Sequence, residues 1–139
     1  MIIASVHANL KMDIVKATNR LINAIANPYT RILGHPTGRL LLSREGYPID
    51  HQAIIDACAE HKVVIELNAN PYRLDMDWTW IPYAVEKGVM ISINPDAHNI
   101  KGLSDIQYGV SAARKALLRP VDCLNTLTLN DFTDWVEHK

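Results

Sequence analysis

Val63-Val64-Ile65-Glu66-Leu67 is the stretch that decides the fold, because it is the clearest strand signal in the chain. It is rich in β-branched residues, which favour the pleated, half-buried surface of a sheet. The segment before it has helical spacing, starts at Asp50, a good N-cap residue, and runs to about Lys62. A strand that directly follows a helix predicts a β/α unit.

The same alternation of short apolar runs and helical segments continues along the whole chain. The predicted strands are Ile2–Val6, Arg31–Leu33, Val63–Leu67 and Val89–Ile93. The predicted helices are Lys11–Asn27, Asp50–Lys62, Trp78–Lys87, Leu103–Leu118 and a last one opened by a Thr128-x-x-Asp131 capping box. This order predicts an α/β fold with a parallel sheet and crossover helices.

The chain has 139 residues, and nothing in its composition marks a domain boundary, so we interpret residues 1–139 as a single domain. A closed (β/α)₈ barrel usually needs about 250 residues. The sequence therefore predicts either a small open α/β sheet or part of a barrel whose first half lies elsewhere.

Composition excludes several classes of function. There are 14 Lys+Arg and 15 Asp+Glu, a net charge of −1, so nucleic-acid binding driven mainly by counterion release is not expected. The longest apolar run, Met1–Ala4, is too short for a membrane span or a signal peptide. Cys58 and Cys123 lie far apart in the sequence, which predicts a reduced, cytoplasmic protein with buried cysteines.

Three of the six histidines follow the ends of different predicted strands. They are His7, His35 and His98, and Asp96 lies two residues before His98. Sites in parallel α/β folds are built at the carboxyl ends of the strands, so we expect these four side chains to meet. If the segment is extended, Asp96 and His98 point to the same side.

Imidazole and carboxylate groups are ligands for divalent cations such as Zn²⁺ and Mn²⁺. Such a cation can lower the pKa of a bound water to about 7 and so prepare it to attack phosphorus or carbonyl carbon. The sequence therefore predicts a metal site, with the alternative that each histidine is only solvated or hydrogen-bonded.

Other polar residues have a binding and a structural interpretation. Arg39 and Arg73 could clamp a phosphate or pair with carboxylates. Asn68 and Asn70 could orient a ligand or satisfy loop backbone. Glu66, inside an apolar strand, could be a ligand, but we favour a structural ion pair.

The remaining histidines are assigned no site role, and the two tryptophans offer only a weak case for base stacking. His51 and His61 are expected to be surface residues of one helix, and His138 a tail residue. Trp78 and Trp80 cannot both face one side, so one of them is expected to pack and the other to stay exposed.

Four strings resemble the C-terminal half of a PHP (polymerase and histidinol phosphatase) domain, most of all the version fused to bacterial family X DNA polymerases. They are Ser5-Val6-His7, Gly34-His35-Pro36-Thr37-Gly38-Arg39, Ile65-Glu66-Leu67-Asn68-Ala69-Asn70-Pro71-Tyr72-Arg73-Leu74 and Ile93-Asn94-Pro95-Asp96-Ala97-His98. The resemblance covers nearly the whole chain. It implies a distorted (β/α)₇ TIM-like barrel with a metal-dependent phosphoesterase site at the strand ends.

Carried over by motif, the resemblance implies metal ligands at His7, His35, Asp96 and His98, of which Asp96 and His98 are also expected to be catalytic. A complete site would hold two or three divalent ions, Mn²⁺, Zn²⁺ or Fe²⁺. The implied activity is 3′–5′ exonuclease or DNA end processing in repair, with DNA or another phosphoester as substrate.

The His-x-His motif and other ligands that open such domains are absent from this sequence. We therefore expect a partial domain, completed by an N-terminal PHP half or a polymerase domain in cis or trans, or by oligomerisation. Two alternatives stay open: an inactive PHP piece acting as an interaction module, and a phosphatase that acts on a small monoester such as histidinol phosphate.

Overall fold

A computed structural model of the chain describes residues 1–138, which form a parallel four-stranded sheet with a helix after each strand. The strands are β1 (Ile2–Ala4), β2 (Thr30–Leu33), β3 (Val64–Asn68) and β4 (Ile91–Asn94). The helices are α1 (Ile14–Ile25), α2 (His51–Glu60), α3 (Ile81–Glu86), α4 (Ile106–Lys115) and α5 (Leu129–Glu137). The predicted α/β class with crossover helices is confirmed.

The strands lie side by side in chain order, β1-β2-β3-β4, and every neighbouring pair is parallel. Ile32 pairs with Val64, and Ile65 pairs with Ile91. All four carboxyl ends therefore lie along one edge of the sheet. This arrangement is compatible with part of a β/α barrel.

The sheet has a large apolar core on one face and a small one on the other. Leu33, Ile65 and Ile91 are fully buried against α1 to α4 in the large core. The opposite face holds a small cluster of Ile32, Val64 and Leu124, covered by residues of α5. In that helix no residue is fully buried, and the Arg31 guanidinium donates a hydrogen bond of 2.6 Å to the carbonyl of Val136.

Most predicted elements are found, but their ends differ in ways that the local chemistry explains. β1 ends at Ala4 rather than Val6, because its neighbour β2 ends at Leu33. The next residue, Gly34, donates its N–H to the Ala4 carbonyl, which is the last bond between the two segments. The first helix begins at Ile14 rather than Lys11, since the Asp13 side chain accepts from Lys16 N–H and caps it there.

Two predicted helices are each divided into a 3₁₀ turn and a shorter α-helix. Trp78–Trp80 is a 3₁₀ turn capped by Asp77, and α3 starts only at Ile81, with a proline in its first turn. Lys101–Asp105 is likewise 3₁₀ and precedes α4. The capping box of the last helix is confirmed, because Thr128 accepts from Asp131 N–H and donates to its carboxylate.

The two cysteines are buried and free, as predicted. None of the helices described within residues 1–138 has the length and apolar character that crossing a bilayer requires.

Candidate metal centre

His7 and His35 meet beyond the carboxyl ends of β1 and β2. Their ring centroids are 4.9 Å apart and the rings are nearly perpendicular, at 87°. His35 is 7% exposed, and its backbone has φ of +25°. Its Nδ1 is buried without a hydrogen-bond partner among the described residues. An unpaired buried nitrogen is costly, so this atom is a candidate to bind a ligand.

Asp96 and His98 follow β4, and here the predicted geometry is wrong. The segment is not extended, because Asp96 has φ of +52°. The Asp96 carboxylate turns to Arg73, with Oδ2 3.1 Å from Nε. The His98 ring turns to its own loop, with Nδ1 2.8 Å from the Asp96 carbonyl oxygen.

The bond to that carbonyl assigns the His98 tautomer. A carbonyl oxygen only accepts, so Nδ1 carries a proton, and in the neutral form of the ring Nε2 then keeps its lone pair. Metal-binding histidines usually have this arrangement, in which the second ring nitrogen donates to a carbonyl or carboxylate. His98 is therefore prepared to bind a cation through Nε2.

The predicted meeting of all four side chains is not observed. No group of three or more His, Cys, Asp or Glu residues within residues 1–138 is arranged to hold a metal ion. His7 and His35 lie together as a pair, whereas the Asp96 carboxylate bonds Arg73 and the His98 ring hydrogen-bonds only the Asp96 carbonyl among the described residues. The donor types of all four and the His98 tautomer fit a divalent cation, whereas a three-ligand set does not form from these residues alone. The metal and catalytic roles stay predictions.

The two arginines differ sharply in what holds them. The Arg39 guanidinium bonds Asp77 at 2.7 Å and the carbonyls of Arg73 and Leu74, which favours the structural alternative for this residue. Arg73, in contrast, contacts Asp96 alone among the described side chains. Its other guanidinium N–H groups remain available to a phosphate.

Asn68 and Asn70 hold the loop after β3. The Asn68 side chain accepts from Asn70 N–H at 3.1 Å, and the Asn70 side chain accepts from Tyr72 N–H at 3.0 Å. Asn68 is also completely buried. These contacts favour the loop-stabilising alternative over ligand binding.

Glu66 makes no ion pair within the described residues, so the predicted structural ion pair is wrong. Its buried carboxylate accepts hydrogen bonds from His35 N–H at 2.7 Å, Asn68 Nδ2 at 3.3 Å and Asn94 Nδ2 at 2.9 Å. Amide and backbone donors satisfy it in place of a cation. Glu66 thereby ties the loop after β2 to the ends of β3 and β4.

Asp75 is a residue that sequence reasoning missed. It has no exposed surface, and its carboxyl group accepts from Thr37 N–H at 3.0 Å and Gly38 N–H at 2.8 Å. Burial raises its pKa above the usual value, and the bonds from Thr37 and Gly38 oppose the rise. The available signal was an acid between two apolar residues, Leu74 and Met76.

His51 and His61 are both only partly exposed, so their expected surface position is confirmed in part. His51 stacks face to face on Trp80, with centroids 4.7 Å apart. Trp78 also packs, under the Lys115 ammonium at 4.2 Å, so neither tryptophan is left exposed. His138 is exposed, as expected for a tail residue.

The His51 stack makes stability depend on pH. Burial lowers the pKa of His51 below 6.5, although the carboxylates of Asp75, Asp77 and Asp50 oppose the shift. Between that lowered pKa and 6.5 the unfolded chain binds more protons than the folded chain. The stability gained by packing the neutral ring is therefore fully present above pH 6.5 and is lost as the pH falls toward the lowered pKa. We expect Tm to drop from about pH 7.5 to about pH 5.5, and less so in His51→Phe, which keeps the stack. The control His138→Gln should show the wild-type drop, and an unchanged drop in His51→Phe would contradict the assignment.

Fold and site together define a class: a parallel β/α domain with imidazole and carboxylate groups at the carboxyl edge of its sheet. Comparison with known proteins narrows this class. The chain is 40% identical, over 94% of its length, to the DNA polymerase/3′-5′ exonuclease PolX of Bacillus subtilis. It is 30% identical, over 99% of its length, to a probable phosphatase of Caldanaerobacter subterraneus, and 34% identical, over 62%, to one of Thermoanaerobacter sp.. No family model matches.

The resemblance found in the sequence is confirmed: the chain is similar to a family X DNA polymerase and to probable phosphatases, as expected of a PHP-type domain related to those polymerases. It spans 23% of the length of the polymerase and 53% of the length of the Caldanaerobacter phosphatase. The names of these relatives, a 3′-5′ exonuclease and probable phosphatases, support phosphoester hydrolysis as the chemistry that they share.

Proposed function

We propose that this chain is the C-terminal part of a PHP barrel and contributes to a metal-dependent phosphoesterase that removes nucleotides from DNA 3′ ends. The observation that carries the proposal is the Arg73–Asp96 ion pair beside His98. It unites a planar cation suited to phosphate, a carboxylate and a ligand-ready imidazole at one place. The named activity of the PolX relative supports DNA as the substrate.

Each residue of this group has a distinct task. Arg73 would bind a non-bridging phosphate oxygen and orient the phosphoester, with Asp96 fixing the guanidinium through Nε. Asp96 and His98, with His7 and His35, would hold divalent cations. Such cations neutralise charge on a transferring phosphoryl group. A polymerase domain or the remaining PHP half would complete the site, in the cytoplasm, as part of DNA repair.

A second candidate is hydrolysis of a small phosphomonoester. It is favoured by the phosphatase names of several relatives, among them the one from Caldanaerobacter. The same four metal-binding residues and Arg73 would serve it, and only the size of the bound substrate would differ.

Hydrolysis assays on the purified full chain test the proposal. The substrates are a 5′-labelled oligonucleotide and p-nitrophenyl phosphate, each assayed with Mn²⁺, with Zn²⁺ and with a chelator. We expect cation-dependent shortening of the oligonucleotide, a lower turnover of the monoester, and a loss of about 100-fold in His98→Gln. His61→Gln is the matched control, because His61 caps α2 and lies outside the site.

Each outcome distinguishes the candidates. Faster turnover of the monoester would favour the second candidate. Activity that survives both the chelator and His98→Gln would contradict a metal-dependent site. Absence of hydrolysis, together with no metal in elemental analysis of the purified chain, would leave the interaction-module alternative.

A further inference from the structure

The loop after β2, Gly34–Arg39, is held by carboxyl groups from a different part of the chain. His35 N–H donates to Glu66, and Thr37 N–H and Gly38 N–H donate to Asp75. Pro36 has no N–H. Every backbone donor from residue 35 to residue 38 is therefore bound by one of two buried carboxyl groups.

Placing a carboxyl group here is expensive. Asp75 is 0% exposed, and a buried carboxyl group costs free energy unless hydrogen bonds replace its water. Residues 34 to 38 of the loop are themselves buried, so their N–H groups cannot reach solvent and need acceptors within the protein. The two carboxyl groups satisfy these buried donors and at the same time fix the shape of the loop.

The loop is also fixed from its other side. Gly38 has φ of +63°, a conformation that favours glycine, and the Tyr47 ring lies 3.1 Å from where a Cβ would stand. Tyr47 N–H donates to the Thr37 carbonyl at 3.1 Å. Tyr47 and Asp75 thus enclose the Thr37–Gly38 turn, which leaves His35 little freedom.

We propose that Asp75 is a positioning residue, which acts through the Thr37–Gly38 turn to hold the His35 imidazole beside His7. The observed result of this restraint is the 4.9 Å edge-to-face pair of rings, with the His35 Nδ1 buried and unpaired. The inference rests on the proposed function only in taking His35 as a ligand. The effect on the ring itself can be measured without any activity.

The test is Asp75→Asn, which keeps the size of the side chain but places an NH₂ group against one backbone donor. The matched control is Asp77→Asn, two residues away, which loses one ion pair with Arg39. Two readouts are taken well below the unfolding midpoint: ¹⁵N resonances of the histidine rings, and the affinity for Zn²⁺ by titration. We expect Asp75→Asn to shift the His7 and His35 ring resonances and to weaken Zn²⁺ binding by about 10- to 100-fold.

A double-mutant cycle separates positioning from general stability. In a His35→Gln background, Asp75→Asn should weaken Zn²⁺ binding no further, since its effect passes through His35. Wild-type ring resonances and Zn²⁺ affinity in a folded Asp75→Asn, or equal shifts in Asp77→Asn, would overturn the proposal.

If Asp75→Asn does not fold, Thr37→Ala serves instead. It removes the Thr37 hydroxyl bond to Asp75, together with the bond that this hydroxyl accepts from Arg39 N–H at 3.3 Å, and should weaken Zn²⁺ binding about two- to fivefold. No change would overturn the proposal. If the wild type binds no Zn²⁺, the proposed function fails while the ring resonances still decide the positioning role.

Discussion

Replacing Asp96 with asparagine is expected to lower phosphoester hydrolysis by about 100-fold or more while leaving the fold intact. The amide has nearly the same shape as the carboxylate but carries no charge, so it is a poor ligand for a divalent cation. It also holds the Arg73 guanidinium less firmly, which loosens the phosphate-binding group. The Asp96 side chain is 26% exposed in its ion pair with Arg73, so the expected loss of stability is only about 0–1 kcal/mol.

Asp122→Asn is the matched control for this prediction. Asp122 also pairs with an arginine, Arg119 at 2.8 Å, outside the site. Rates are measured with saturating Mn²⁺, and unfolding midpoints are measured on the same preparations. The assignment is wrong if Asp96→Asn keeps more than half of the wild-type rate, or if Asp122→Asn loses as much as Asp96→Asn.

Glu66→Gln should have the largest effect on stability, about 2–4 kcal/mol. The carboxylate receives donors on both oxygens: His35 N–H and Asn68 Nδ2 on one, Asn94 Nδ2 on the other. Glutamine offers a single acceptor oxygen, so in either orientation its NH₂ group faces a donor in a buried place. Urea unfolding measures the change, with Glu86→Gln on the exposed face of α3 as a control expected within about 0.5 kcal/mol of wild type.

A second substitution that restores the lost hydrogen bond provides a further test of this prediction. In Glu66→Gln/Asn94→Asp, the glutamine NH₂ can donate to the new carboxylate while its oxygen still accepts from His35. The second carboxylate oxygen can keep the bond from Ser92 Oγ, which is 3.0 Å from Asn94 Oδ1. We expect the double variant to be at least about 1 kcal/mol more stable than Glu66→Gln. A double variant less stable than either single one would show that these hydrogen bonds do not determine the cost.

The fold was predictable because its signals are local. The β-branched run around Ile65 predicts β3, and Asp50 and Thr128 cap α2 and α5 as their side-chain chemistry implies. The boundaries that were missed depend on neighbours or on a few residues at the helix start. The end of β1 depends on where β2 stops, and α3 begins beside a proline.

The site was only partly predictable, because side-chain direction depends on distant partners. Strand ends correctly indicate which edge carries His7 and His35. The turn of the Asp96 carboxylate toward Arg73 depends on a loop more than twenty residues earlier. The apolar neighbours of Asp75 indicated that it is buried, but not what it binds, since its partners at Thr37 and Gly38 are 38 and 37 residues away.

The two carboxyl groups that shape the loop after β2 also set an order of events during synthesis. The hydrogen bond from His35 N–H cannot form until Glu66, 31 residues later, has been synthesised. The bond from Gly38 N–H likewise requires Asp75, 37 residues later. Closing such long segments costs entropy that the intervening α2 and β3 must first offset by packing. A chain that has left the ribosome only as far as α2 can form the strand that leads to His35 but cannot yet orient its ring. We therefore expect the candidate centre to be assembled late, after the sheet has folded.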